Sequence, residues 1–257
     1  MMAPVCIGLV QLCCQKGDVA GNLARIDDHL REGRARDVAI VCFPEMSITG
    51  YVDPARWPGA VLRLDGPEVA RFVALTAAHR LTAIAGLVEA NPRGKPFITQ
   101  VVARDGELLG HYRKRTIAPD EADRFAPGDP VAPIFAHNGL RFGLAICADI
   151  DCRAVFAESA ARGADLVFEA AAPGLYGSQE GRDWRAGFAW WRNECMTKLG
   201  RYARENGIAI AVATQAGRTI DEDFPGGGYL FAPDGACLAA TPDWAEGALY
   251  AVVGRES

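Results

Sequence analysis

Three short apolar runs in this sequence each end on a reactive side chain. Glu45 closes VAIVCFPE, Lys114 closes LLGHYRK and Cys147 closes RFGLAIC. The composition of each run predicts a β-strand. In open α/β sheets, ligands and chemistry collect beyond the carboxyl ends of the strands. A base, an ammonium and a thiol at such ends could meet in one pocket, and a thiol-based hydrolase of amide or related carbon–nitrogen bonds needs these three groups.

Cys147 lies where the strand pattern changes to a turn and then to a helix. A side chain at such a turn is exposed at the sheet edge, and the amide of Ala148 could serve as an oxyanion donor. A nearby helix N-terminus or ammonium would lower the thiol pKa and raise the thiolate fraction. The alternative is a structural cysteine, because buried cysteines commonly act as small hydrophobic residues.

Glu45 and Lys114 each have a functional and a structural interpretation. Glu45 follows a run that should be buried, so its carboxylate needs a partner or a solvent-lined pocket. It could act as the base for the thiol, or it could cap a helix or pair with an arginine. Strand alternation sends Lys114 to the opposite face from Arg113 and Arg115, where its charge could stabilise an oxyanion. Otherwise Lys114 is a surface cation.

The elements that must position these residues follow from hydrophobic periodicity. Four helices are predicted, at 19–35, 67–80, 153–163 and 183–206. Strand patterns fall at 5–13, 38–44, 82–90, 97–104, 107–113, 140–147, 165–170, 208–214, 228–232, 236–240 and 247–253. The pairs Asp105-Gly106, Asn138-Gly139 and Asp234-Gly235 are typical of hairpin turns between strands.

The order of these elements predicts an α/β fold with mixed sheets. The first two strand–helix–strand connections predict parallel neighbours, and the hairpins add antiparallel strands. With so many strands we expect two sheets, with the helices covering the outer faces. No linker, repeat or low-complexity tract appears, so residues 1–257 are expected to form a single domain.

Composition excludes several function classes. The chain has 27 basic and 32 acidic residues and no basic stripe, which argues against nucleic-acid binding. The first apolar run is too short for a membrane span and lacks a basic leader, so we expect a cytoplasmic protein with no membrane contact. No Cys-x-x-Cys pair or zinc spacing occurs, and none of the four histidines lies in a triad or metal motif.

Taken together, the local strings and their order resemble the nitrilase superfamily of carbon–nitrogen hydrolases over nearly the whole chain. CFPEMSITGY is similar to the segment that carries the family's base, here Glu45. HYRKRTIAPDEADRFAPGD is similar to the segment with its lysine, Lys114, and a second glutamate, Glu121. LAICADI is similar to the nucleophile segment with Cys147.

This resemblance implies a four-layer α-β-β-α sandwich that forms a homodimer or larger assembly through its helical face, without metal or organic cofactor. It implies that Cys147 attacks an amide carbon while Lys114 and the Ala148 amide hold the oxyanion. Glu45 would shuttle protons, and Glu121 would orient Lys114 and the substrate. The alternative for Glu121 is an exposed acid in a loop.

Substrate preference is harder to derive. Nitrile-cleaving relatives typically carry Trp-Glu after the nucleophile, whereas this chain has Ala148-Asp149, which favours amides. Tyr51, Glu169 and Tyr176 are predicted to border the site and bind substrate, although Glu169 could instead pair with an arginine.

The sequence therefore predicts a hydrolase of a small linear amide or N-carbamoyl compound. Two alternatives stay open at this point: acyl transfer from the thioester to an acceptor other than water, and a non-catalytic family member that binds a ligand.

Overall fold

The computed structural model describes residues 4–175 and 183–254. The strands, in chain order, are β1 (Val5–Gln11), β2 (Ile40–Cys42), β3 (Val61–Leu62), β4 (Thr82–Glu89), β5 (Phe97–Arg104), β6 (Glu107–Arg113), β7 (Phe135–His137), β8 (Leu140–Ile146), β9 (Leu166–Ala171), β10 (Ala209–Thr214), β11 (Ala216–Arg218), β12 (Asp223–Pro225), β13 (Tyr229–Phe231), β14 (Cys237–Ala240) and β15 (Gly247–Val253). The helices are α1 (Val19–Ala35), α2 (Pro67–His79), α3 (Arg153–Ala161), α4 (Trp184–Glu194) and α5 (Gly200–Asn206).

The first sheet has the strand order β15-β1-β2-β4-β5-β6, with β3 beside β4. β1, β2 and β4 run parallel, because α1 and α2 each cross over between neighbouring strands. The last strand, β15, is the edge strand next to β1. It pairs antiparallel with β1, from Val5 opposite Val253 to Gln11 opposite Gly247. The predicted parallel connections are thus confirmed.

The second sheet has the order β14-β13-β10-β9-β8-β7. Its central strands β8, β9 and β10 run parallel, and the strands on either side run antiparallel. The short strands β11 and β12 form a separate hairpin. All three predicted turns join antiparallel strands, and Asp105 and Asn138 adopt the left-handed conformation that such turns require.

Strand alternation builds three hydrophobic layers. In β8, Phe142 and Leu144 point into the layer between the two sheets, whereas Ala145 points toward the helices that cover the second sheet. On the first sheet, the α1 residues Leu23 and Ile26 pack in the other outer layer. Buried residues therefore lie on both faces of each sheet, as an α-β-β-α sandwich requires.

Some element boundaries differ from the sequence-based expectation. The strand expected at 38–44 is limited to Ile40–Cys42, because the chain turns at once to deliver Glu45. The helix expected at 183–206 contains a π-helical turn, Cys195–Leu199, between α4 and α5. Strands β3, β7, β11 and β12, of two or three residues each, were not predicted because such short runs carry no periodic signal.

Within residues 4–175 and 183–254, 3-10 turns occur at Pro58–Ala60, Pro119–Glu121 and Cys147–Asp151, and the last two carry residues of the predicted site. Within the described ranges, no helix is both long and apolar enough to cross a bilayer.

Candidate active site

Cys147 follows β8 directly and begins a 3-10 turn. Its backbone φ angle of 44° lies in the left-handed region, which residues other than glycine rarely adopt. Such backbone strain costs on the order of 1–3 kcal/mol and clusters at functional sites. The sharp turn places Cys147 at the carboxyl end of its strand, as the sequence predicts, but the side chain is half-buried rather than exposed.

Glu45 lies at the end of the first sheet and is fully buried. The next residue, Met46, has a φ angle of 50°, and its backbone passes so close to β4 that a Cβ on Gly86 would lie 2.2 Å from the Met46 nitrogen. Glycine is therefore required at position 86 to let this turn approach the sheet. The Glu45 carboxylate accepts a hydrogen bond from the Ala172 amide at 3.0 Å, just beyond β9 of the second sheet.

Lys114 comes directly after β6 and is buried, whereas its neighbours point away from the site. Arg113 pairs with Glu89, and Arg115 pairs with Glu158. The predicted alternation of these three side chains is therefore confirmed. The Lys114 Nζ atom lies 2.8 Å from Glu45 Oε1 and 2.9 Å from both carboxylate oxygens of Glu121.

Glu121 lies in the 3-10 turn after Lys114 and is buried, so it is not an exposed acid in a loop. Besides the Lys114 ammonium, its carboxylate accepts hydrogen bonds from the Ala118 amide at 3.0 Å and from the Tyr51 hydroxyl at 2.5 Å. Tyr51 is itself almost fully buried. The structure thus brings Tyr51, Glu121, Lys114 and Glu45 into one continuous hydrogen-bonded chain.

The electrostatics of this group favour a base that is half-protonated at neutral pH. Burial, reinforced by the negative charge of Glu121, raises the pKa of Glu45 to about 7, although Lys114 and a hydrogen bond with Cys147 oppose the shift. For Lys114, burial alone would lower the pKa, but the surrounding Glu45, Cys147 and Glu121 raise it above its ordinary value. Lys114 therefore stays a cation while Glu45 can take or release a proton.

The Cys147 thiol behaves differently from the sequence-based expectation. Burial and the nearby Glu45 carboxylate raise its pKa well above the ordinary value, and the attraction of Lys114 only partly offsets them. The nearby ammonium therefore does not produce the expected lowering of the thiol pKa. Because Glu45 lies near enough to the thiol for each to shift the pKa of the other, the sulfur can become an anion by passing its proton to that carboxylate.

Sequence reasoning missed the role of Asp149, two residues after Cys147. Its buried carboxylate accepts hydrogen bonds from the Tyr112 hydroxyl at 2.7 Å, the Thr116 amide at 2.8 Å and the Ile146 amide at 3.0 Å. Tyr112 and Thr116 flank Lys114, so Asp149 ties the lysine segment to the cysteine turn. The available signal was a carboxylate placed directly after a run that must be buried.

The remaining predicted residues are less closely connected. Ala148 follows Cys147 within the 3-10 turn, where its amide role stays a prediction. Glu169 is fully buried on β9, and neither of its carboxylate oxygens has a hydrogen-bond partner among the described residues. It shares its strand face with Val167 and Ala171, which pack in the outer layer beside the helices. Its substrate-binding role stays a prediction. Tyr176 lies outside the described residues.

The part of the chain that the structure describes contains no group of three or more His, Cys, Asp or Glu side chains that could hold a metal ion. The candidate site instead offers a thiol, a carboxylate base and a fixed ammonium. Such an arrangement can form a covalent thioester, move protons and stabilise negative charge on oxygen.

Comparison with known proteins shows the family to which this chain belongs. The family described as carbon-nitrogen hydrolase matches residues 6–257, and the chain belongs to that family. The resemblance to the nitrilase superfamily that the sequence motifs indicated is thereby confirmed.

Among relatives by sequence, the formamidase of Bradyrhizobium diazoefficiens is 32% identical over 176 residues, which are 65% of this chain and 51% of that protein. An (R)-stereoselective amidase of a Pseudomonas species is 29% identical over 161 residues, or 63% of this chain and 58% of that protein. The chain spans between half and three fifths of the length of these relatives.

Among solved structures, the amidase from Nesterenkonia sp. superposes with a TM-score of 0.83 at 24% sequence identity, covering 97% of this chain and 90% of that one. A variant of that amidase carries the acetamide moiety of fluoroacetamide on its active-site cysteine, and it superposes with a TM-score of 0.82. At this level of identity the likeness shows a shared fold, and it confirms the predicted sandwich.

The raised pKa of Glu45 predicts a titration close to neutrality. Difference infrared spectra between the wild type and Glu45→Gln, recorded across pH, should show the protonated carboxyl band of Glu45 disappearing with a midpoint near 7 as the pH rises. Subtracting the Glu45→Gln spectrum removes the bands of the other buried carboxyl groups. A midpoint near 4.5, the ordinary glutamate value, would contradict the electrostatic argument.

Asp149 offers a second test. All three partners of Asp149 donate hydrogen bonds to it. The Asp149→Asn substitution replaces one acceptor oxygen with an NH₂ group, so at least one of these donors loses its acceptor. We expect a loss of about 1–3 kcal/mol in the free energy of unfolding, measured by urea denaturation. The matched control is Asp151→Asn in the same turn, since Asp151 is 61% exposed and pairs only with Lys198. Equal losses in the free energy of unfolding of the two variants would contradict the role of Asp149 in joining the lysine segment to the cysteine turn.

Proposed function

We propose that this protein hydrolyses a small linear amide or N-carbamoyl compound to an acid and ammonia or an amine, through a thioester on Cys147. The observation that carries the proposal is the position of the Lys114 ammonium, 2.8 Å from Glu45 and 2.9 Å from Glu121, in a buried group whose charges act on the Cys147 thiol. The family membership and the formamidase and amidase relatives support the same reaction class.

In the first half-reaction, the Cys147 sulfur attacks the carbonyl carbon while the thiol proton passes to Glu45. The carbonyl π electrons move to the oxygen, and Lys114 with the Ala148 amide stabilises the resulting oxyanion. When the oxyanion collapses, the carbon–nitrogen bond breaks and the nitrogen leaves with the proton from Glu45. A thioester and a free amine or ammonia result.

In the second half-reaction, Glu45 accepts a proton from a water molecule as the water oxygen attacks the thioester carbon. The carbon–sulfur bond then breaks, the acid is released and the proton returns to sulfur. A carboxylate with a pKa near 7 suits this cycle, because it must act as a base and as an acid in each turnover. Glu121 holds Lys114 in place and lies close enough to orient the substrate amide.

The preference for amides over nitriles rests on two observations. Ala148-Asp149 replaces the Trp-Glu that is typical of nitrile-cleaving relatives, and Asp149 is occupied by structural hydrogen bonds. The formamidase and the stereoselective amidase are both amide-cleaving by name.

The nucleophile can be tested directly. Ammonia release should be measured over formamide, short aliphatic amides, ω-amides, N-carbamoyl amino acids and nitriles. We expect turnover of at least one amide or N-carbamoyl compound and a loss of about 10³-fold or more in Cys147→Ala, since the covalent route disappears. The matched control is Cys237→Ala, because Cys237 is an exposed thiol on β14.

The same experiment has outcomes that would overturn the proposal. Unchanged ammonia release in Cys147→Ala would exclude the thioester route. Release of substrate nitrogen without free acid, with the acyl group recovered on an added amine, would indicate acyl transfer instead. Ligand binding without any turnover of the wild type would favour the non-catalytic alternative.

We also propose that residues 1–257 form one cytoplasmic domain that assembles as a homodimer or larger oligomer through its helical face. The family resemblance supports this, as does an exposed surface on α4 and the following turn, around Phe188, that carries Arg185, Ala189, Arg192 and Met196. Light scattering should give at least twice the monomer mass for the wild type and the monomer mass for Ala189→Glu. Ala55→Glu, in an exposed loop, is the matched control, and a monomeric wild type would contradict the proposal.

A further inference from the structure

The β11–β12 hairpin packs against the tyrosine that binds Glu121. Phe224, in β12, is fully buried, and its ring centroid lies 5.9 Å from that of Tyr51. The other end of the Tyr51 side chain donates the 2.5 Å hydrogen bond to Glu121. Because the aromatic ring is rigid, the position of Phe224 limits where the Tyr51 hydroxyl can lie.

Lys16 fixes the tip of this hairpin. Its Nζ atom lies 2.6 Å from Asp221 Oδ1 and 3.1 Å from Glu222 Oε2, the residues just before β12. The Lys16 side chain is only 7% exposed, so solvent screens these pairs less than it screens an ordinary surface ion pair. We name these three residues, Lys16, Asp221 and Glu222, the Lys16 clamp.

The same cluster holds the segment that follows Tyr51. Arg56 pairs with Asp221 at 3.0 Å, and its guanidinium lies 4.5 Å from the centre of the Trp57 ring. The Lys16 ammonium lies 5.9 Å from the same ring. One set of charges and one aromatic ring therefore tie the Tyr51 segment and the hairpin tip to each other.

The first strand of the hairpin, β11, is also attached to the segment that carries Lys16. The Ala216 amide donates to the Leu12 carbonyl at 3.1 Å, and the Gln15 side chain donates to the Arg218 carbonyl at 3.2 Å. Both ends of the hairpin are thus anchored to residues 12–16. Phe224, between these anchors, has little freedom to move away from Tyr51.

We propose that Phe224 and the Lys16 clamp are positioning residues that hold Tyr51 on Glu121 and thereby fix the Lys114 ammonium between its two carboxylates. This inference rests on the proposed function and extends it to residues that touch neither substrate nor reacting atoms. If Phe224 is shortened, Tyr51 can leave Glu121, and Glu121 then draws Lys114 away from Glu45.

A displaced Lys114 would change the acidity of the base, which a purely structural defect would not do. The charged and titratable groups that act on Glu45 are Lys114, Glu121 and Cys147, and Tyr51 and Glu169 lie within electrostatic reach of it. Of these, the Lys114 ammonium lowers the pKa of Glu45, whereas burial and Glu121 raise it. Weaker contact with Lys114 should therefore move the acid limb of the pH–rate profile to higher pH.

The test compares Phe224→Leu with Phe231→Leu. Both phenylalanines are fully buried, but Phe231 packs in the outer layer beside Tyr229, on the side of the second sheet away from the first. We expect similar losses of thermal stability in the two variants. Only Phe224→Leu should lower kcat, by about 10-fold or more, and raise the acid limb of the kcat/KM profile.

Two further comparisons separate positioning from stability. The double variant Tyr51→Phe/Phe224→Leu should lose no more activity than Tyr51→Phe alone, because both changes break one connection. Lys16→Met should behave like Phe224→Leu, whereas Lys16→Arg keeps the charge and should restore most of kcat and the pH profile.

The inference is overturned if Phe224→Leu and Phe231→Leu have equal kcat and the same acid limb, or if the Tyr51 and Phe224 effects multiply. Either result leaves the proposed function intact as long as the wild type hydrolyses an amide. A wild type that hydrolyses none of the amides, while Cys147→Ala binds them equally well, would instead remove the proposed function itself.

Discussion

The arrangement on which the site depends is a buried ammonium shared by two buried carboxylates. Lys114, Glu45 and Glu121 are each at most 1% exposed, so their charges have lost nearly all contact with water. Burying such charges is costly unless the geometry is close and the remaining oxygens are hydrogen-bonded. Here the Ala118 and Ala172 amides and the Tyr51 hydroxyl supply those bonds. One negative charge remains in excess, and Glu45, whose pKa lies near 7, is the carboxylate that can accept a proton.

The two sheets contribute different parts of this site. Glu45 and Lys114 follow strands of the first sheet, whereas Cys147 and the Ala172 amide follow strands of the second. The distance between Glu45 and Cys147 is therefore set by how the sheets pack on each other. Among the polar connections that cross that interface at the site are the Ala172 amide on Glu45, and Asp149 on Tyr112 and Thr116. They fix the register of the sandwich where the apolar core alone would allow small shifts.

Much of this could be predicted from the sequence, because strand ends are local signals. Glu45, Lys114 and Cys147 each close a readable apolar run, and the hairpin turns carry their Asp-Gly or Asn-Gly pairs. The direction in which the thiol pKa shifts could not be predicted, since burial and Glu45 raise this pKa whereas Lys114 lowers it. Nor could the two distant partners of Asp149, Thr116 and Tyr112, which lie 33 and 37 positions away in sequence. The packing of Phe224 on Tyr51 could not be predicted either, because β12 is too short to show the alternation of a strand.

The pairing of β1 with β15 has a consequence for how the chain folds. The two strands are about as far apart in sequence as the described residues allow, yet they form seven consecutive register pairs. During synthesis, β1 can pair only with β2 until residues 247–253 leave the ribosome. Until then, the backbone donors and acceptors on the other edge of β1 have no strand to pair with. Closing so large a loop is entropically slow, and an open hydrophobic edge invites pairing between nascent chains. Completion of this sheet therefore requires that residues 247–253 have been synthesised, and until then the unpaired edge of β1 can pair with other nascent chains.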